Sequence, residues 1–126
     1  MVNPAPGFLR KPDHRVDLLA EKRRVRVIFG GVVIADSTKA LRVEETGHEP
    51  VHYIPEKDVR TDLLRATEHS THCPFKGDAS YWTIEAPDGA RSENAVWGYR
   101  TPFDETAGLA GHYAFYKSRV NAIDID

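Results

Sequence analysis

The sequence predicts a mainly β protein, a small single-domain β-sandwich or partly open barrel with one or two short helices. Three observations carry this. Short runs rich in Val, Ile, Tyr, Phe and Trp recur along the chain, Gly and Pro stand at their joints, and apolar residues at sustained helical spacing are scarce. A doubly wound α/β fold would need crossover helices that the pattern does not contain. At 126 residues the chain has the length of one domain, enough for a core that needs neither metal nor disulfide.

Residues 1–22 carry Pro4, Pro6 and Pro12 among mixed charges and read as an arm laid over the body, with residues 23–126 as the domain. Arg24 to Phe29 and Val32 to Asp36 are β-rich runs separated by Gly30-Gly31, the signature of a two-residue hairpin. A primed turn there sets Phe29 opposite Val32 and Val27 opposite Ile34 on the core face, and puts Arg24 and Arg26 on the other. Ala40 to Glu45 alternates with a strand's period, and Val51 to Ile54 is a short strand stopped by Pro55. Val59, Leu63 and Leu64 stand at helical spacing behind a capping Asp58, which predicts a short helix over 58–66. Tyr81 to Ala86 and Ala90 to Arg100 flank Pro87-Asp88-Gly89, a second hairpin with Ala95, Trp97 and Tyr99 on one face. A last strand over 111–117 follows a loop or helical turn at 102–109, and residues 121–126 read as an acidic tail.

Seventeen basic and nineteen acidic residues leave a formal charge of -2, which gives no reason to expect a nucleic-acid partner. The single cysteine allows no internal disulfide and no zinc site built on several cysteines. With no leader pattern and no apolar run near the ~20 residues that a membrane span needs, a reducing cytoplasm is the expected location. No cofactor is expected; a small-molecule ligand and self-association stay open as partners.

The densest chemistry is Thr71-His72-Cys73-Pro74-Phe75-Lys76-Gly77, followed by Tyr81-Trp82. One reading is a ligand pocket in which Tyr53, Trp82, Trp97 and Tyr99 supply aromatic walls and His72 and Lys76 polar anchors. In that reading Lys76→Ala weakens binding and barely changes stability. The competing reading makes the rings core and Lys76 a solvated loop lysine. Cys73 and His72 are the catalytic candidates of a small enzyme acting on a nucleotide or acyl substrate, although adjacent residues of a strand point to opposite faces and Cys73 also suits a buried filler. The same alternation argues against metal at His69, His72 and Cys73, and Pro50 breaks the helix that His48 and His52 would need to act together. A third reading is an interaction domain whose exposed aromatics meet a partner chain.

The run from Arg24 to Ile123 resembles domain-of-unknown-function family 427, which sometimes carries a nucleotidyltransferase label. The matching pieces are Val27-Ile28-Phe29-Gly30-Gly31 with Ile34-Ala35-Asp36-Ser37, Tyr53-Ile54-Pro55 with Asp58-Val59, the stretch from Thr71 to Gly77, Tyr81-Trp82, Ala95-Val96-Trp97, and Ala107 to Tyr116. The resemblance implies a mainly β domain and the location of a pocket, and it implies no reaction. Nucleotidyl transfer needs carboxylates that hold Mg2+ beside a phosphate-cradling turn; Gly30-Gly31 with Asp36 is a poor version of that and is explained by the hairpin alone.

Overall fold

The computed structural model describes residues 2–126. After a one-turn helix α1 (Gly7–Arg10), the strands are β1 (Val16–Ala20), β2 (Val25–Phe29), β3 (Val32–Ser37), β4 (Leu41–Glu45), β5 (Val51–Pro55), β6 (Leu64–Cys73), β7 (Gly77–Glu85), β8 (Arg91–Tyr99), β9 (His112–Phe115) and β10 (Ala122–Ile125). They form a seven-stranded sheet in the order β1-β4-β5-β9-β8-β7-β6 and a three-stranded sheet in the order β10-β2-β3. Every strand pairing is antiparallel, and neither sheet closes into a barrel. Among the described residues no helix is long and apolar enough to cross a membrane.

The seven-stranded sheet buries both faces. One packs on the small sheet around Val25, Val27, Ile34, Ile54, Ile84 and Val96. The other gathers Val43, Tyr53, Tyr81, Tyr99, Leu109 and Ala114. Period-two alternation sends neighbours to different cores: in β5, Tyr53 joins the second core and Ile54 the first. That division positions the candidate site.

Gly30 and Gly31 take φ of +59° and +75°, the primed turn expected of a two-residue hairpin. Phe29 pairs with Val32 as expected, but a bulge at Val27/Ile28 pairs Val27 with Ala35 and Ile28 with Val33. Ile34 is therefore the extra residue, and the bulge lets Ile34 and Ala35 both be buried where strict alternation would expose one. A Cβ on Gly30 would sit 2.5 Å from that of Ala86, whereas one on Gly31 meets nothing within 4 Å. Gly31→Ala is expected to cost about 1 to 2 kcal/mol through left-handed backbone strain alone. Gly30→Ala adds a clash in the second hairpin and costs more; equal losses in urea denaturation would contradict this packing.

Four expectations need correction. The segment read as an arm does lie on the body at its start, where Asn3 and Ala5 bond to Asp104 and Glu105, but residues 16–20 are an edge strand of the large sheet. The helix expected over 58–66 is two 3-10 turns, Glu56–Asp58 and Thr61–Leu63, after which Leu64 opens β6. Asp58 caps no helix: its carboxylate instead accepts the Ser37 hydroxyl at 2.6 Å. Ala95 does not share a face with Trp97 and Tyr99. Three residues of β8, Glu93 to Ala95, span the single Thr83 of β7, with Asn94 at φ 49°, so Ala95 joins Val96 in the first core. Finally, the acidic tail contains β10, whose Ile123 and Ile125 cover the first core while Asp124 pairs with Arg26.

Candidate functional site

The site forms because the large sheet curls. Glu45 ends β4 and Lys76 sits in the link between β6 and β7; four strand spacings lie between β4 and β7, which in a flat sheet would be about 19 Å. Instead the Lys76 ammonium donates directly to Oε1 of Glu45, and each side chain is only 10% exposed. The second carboxylate oxygen of Glu45 meets Nε2 of His14 at 2.8 Å. His14 stacks on Phe75 with ring centres 3.9 Å apart, Phe8 approaches the same ring edge-on at 5.0 Å, and the Gly7 amide donates to the Pro74 carbonyl at 2.9 Å. A Cβ on Gly7 would lie 2.7 Å from the Phe75 ring, so only glycine admits this approach. The Pro-Phe-Lys segment is thus clamped by the N-terminal residues. Lys76 is not a solvated loop lysine, and its replacement cannot leave stability untouched.

Beneath this ion pair lies a cavity of about 370 Å³ walled by Tyr53, Tyr81, Trp97, Tyr99 and Tyr116. The Trp97 indole donates to the Tyr53 hydroxyl at 3.2 Å, and the Trp97 and Tyr116 rings pack with centres 4.4 Å apart. Hydroxyls form a chain from Thr71 to Tyr81 at 2.9 Å and on to Tyr116 at 3.4 Å. Burial pushes the Tyr53 and Tyr99 phenols well above their ordinary value, and burial together with the Tyr81 bond pushes Tyr116 up to about 12. All three therefore keep their protons at neutral pH and offer donors as well as acceptors. Desolvation alone would raise the Glu45 carboxyl, but bonds from Lys76 and His14 outweigh it and hold the group below its usual value.

Of the six residues expected to bind ligand, Tyr53, Lys76, Trp97 and Tyr99 line this cavity, and His72 and Trp82 do not. Alternation explains both exceptions. Tyr81 faces the cavity, so Trp82 turns into the first core, where it is 9% exposed and meets Tyr113 edge-on at 4.9 Å. Cys73 is half-buried among the rings of the second core, so His72 points outward, with Nδ1 2.7 Å from Asp78 Oδ1. The two catalytic candidates stand on opposite sides of β6. Tyr81, Tyr116, His14 and Glu45 escaped the sequence reading. Tyr81 was findable, because it is the registered partner of Trp97, whereas nothing local marks Glu45.

A larger cleft of about 840 Å³ opens between the sheets under residues 46–50 and shares His48, Glu49, Val51, Trp97 and Tyr116 with the first. On its rim side, the Glu21 carboxylate accepts both Arg23 nitrogens at 3.0 and 2.9 Å, Arg42 at 3.3 Å and His52 Nε2 at 2.8 Å. Bonds from Arg23 first and His52 second hold this carboxyl far below its ordinary 4.5. A depressed carboxyl stabilises the fold above the unfolded value and loses that contribution as pH falls toward the folded one. Thermal stability is accordingly expected to decline below about pH 4.5 more steeply in the wild type than in Glu21→Gln. Parallel pH profiles would contradict this assignment.

The glycine pair offers no phosphate cradle. The Gly30 amide already donates to Asn121 Oδ1 at 2.8 Å, and Asp36 is bridged by Arg24, with Nε at 2.7 Å. Among the described residues no group of three His, Cys, Asp or Glu side chains is placed to hold a metal ion. No curated protein matches the chain. A family model does match over residues 17–126, the one described as a domain of unknown function, DUF427, under the name NTP_transf_9. Since the match spans nearly the whole chain, from the first strand to the last residue, the protein belongs to the DUF427 family.

Proposed function

We propose that the domain is a small-molecule-binding module whose ligand occupies the aromatic cavity beneath the Glu45–Lys76 pair. The observation that carries this reading is the Thr71–Tyr81–Tyr116 hydroxyl chain set in an aromatic wall around about 370 Å³ of space. That volume lies within the range of ligand sites, which combine apolar area with a few placed polar groups. A packed core would fill such a space; here the rings stand around it. The reading places the protein in the cytoplasm without a nucleic-acid partner, in line with its charge and single cysteine.

A thermal-shift screen of nucleotides and small carboxylic acids tests it. At least one compound is expected to raise the melting temperature of the wild type. Tyr81→Phe removes one hydroxyl of the chain and should weaken that compound about two- to tenfold, the effect of a single neutral hydrogen bond. No stabilising compound, or one equally effective on the variant, would count against the cavity.

A further inference from the structure

The Glu21–His52 contact fixes the chemistry of the larger cleft. Glu21 has 2% of its side chain exposed and is held ionised by Arg23, Arg42 and His52, so its oxygens only accept. Nε2 therefore donates to Glu21, and in the neutral tautomer that this bond selects Nδ1 carries the lone pair. Among the described residues no group bonds Nδ1, and the atom is not sealed from solvent, since Arg26 Nε is the one enclosed side-chain atom left without a partner. His52 alternates with Tyr53 and so shares the face of Ile54, toward the small sheet. His52 thus lines a cleft whose apolar walls are Val25, Val27, Ile54 and Ile123 with the Trp97–Tyr116 pair, and whose lining also includes His48, Glu49, Lys117 and Asn121. The apolar part of this lining disfavours a charge, which would lose its hydration there without compensation. It accepts flat apolar surface.

We propose that this cleft is a second ligand site beside the aromatic cavity, sharing its Trp97–Tyr116 wall and taking a flat apolar molecule with one ring N–H or phenolic O–H that donates to Nδ1 of His52. The Arg–Glu network then acts as the support that sets the tautomer and orientation of the ring, as a carboxylate behind an imidazole does elsewhere. If the network served only to tie the end of β1 to β4 and β5, the hydrogen-bond donor of a bound molecule would make no difference.

Two isomers separate these cases: 3-methylindole keeps its N–H and 1-methylindole lacks it, with equal size and apolar area. NMR titration of the wild type should show 3-methylindole binding about fivefold more tightly, the effect of one neutral hydrogen bond, with shifts at His52 Nδ1 and the Ile123 methyls. His52→Gln can give its amide N–H to Glu21 and its carbonyl to the cleft, and should keep the preference; His52→Phe should lose it. If His52→Phe does not fold, the wild-type comparison and His52→Gln still decide. Equal affinity for the two isomers, failure of both to bind, or shifts confined to Tyr53 and Tyr81, which line the aromatic cavity and not the cleft, would overturn the proposal. Compounds bound in that cavity should be insensitive to His52→Gln, so either reading can fail without the other.

Discussion

Trp82→Ala is expected to lower the stability of the fold by about 3 to 5 kcal/mol, the usual cost of deleting a large buried ring and leaving the cavity behind. The indole is 9% exposed, packs in the core between the sheets, meets Tyr113 edge-on at 4.9 Å and lies under the Arg100 guanidinium at 5.2 Å. Neighbouring side chains are held by two sheets and cannot collapse into the space. Trp97 provides the comparison. It is half-buried at the junction of the two cavities, so Trp97→Ala removes less enclosed surface and should cost clearly less. Urea denaturation of both variants checks the order. A loss below about 1 kcal/mol for Trp82→Ala would place the ring on the surface, where the core packing between the sheets forbids it.

Lys76→Met is expected to destabilise by about 2 to 4 kcal/mol. Removing one partner of a buried ion pair leaves the other charge uncompensated at a cost of roughly 3 to 5 kcal/mol, and here the remaining His14 bond offsets part of it. Adding Glu45→Gln should recover much of that loss, since no bare carboxylate then remains. A double-mutant cycle measures the coupling directly. A coupling near zero would mean that the pair is solvated and that the sheet does not curl far enough to bring β4 to the β6–β7 link. The same variant should also loosen the clamp on Phe75, seen as loss of the upfield ring-current shifts that stacking on His14 produces.

Both hairpins were legible because their signals are local. Gly30-Gly31 and Pro87-Asp88-Gly89 demand particular backbone angles, and the flanking apolar runs demand burial on one face. β6 was not legible for the opposite reason. Leu64 to Cys73 is an edge strand, exposed over most of its length, so no buried face imposes alternation on its sequence, and it is recognisable only by its pairing with β7. The 3-10 turns at 56–63 show a third case, in which Val59 and Leu63 are buried at helical spacing without a helix long enough to sustain its hydrogen bonds.

By itself the sequence determined a mainly β domain, its turns, and four residues that line the aromatic cavity, because backbone preference and period-two burial are written in neighbouring residues. Tertiary structure alone decided which rings share a face. Extra residues at Ile34 and over Glu93–Ala95 reset the alternation, so Trp82 and Trp97 belong to different cores despite pairing strands. It also decided the partners of Lys76 and His52. Glu45 and Glu21 each lie 31 residues away along the chain, and only the curl of the sheet and the pairing of β4 with β5 bring those groups together.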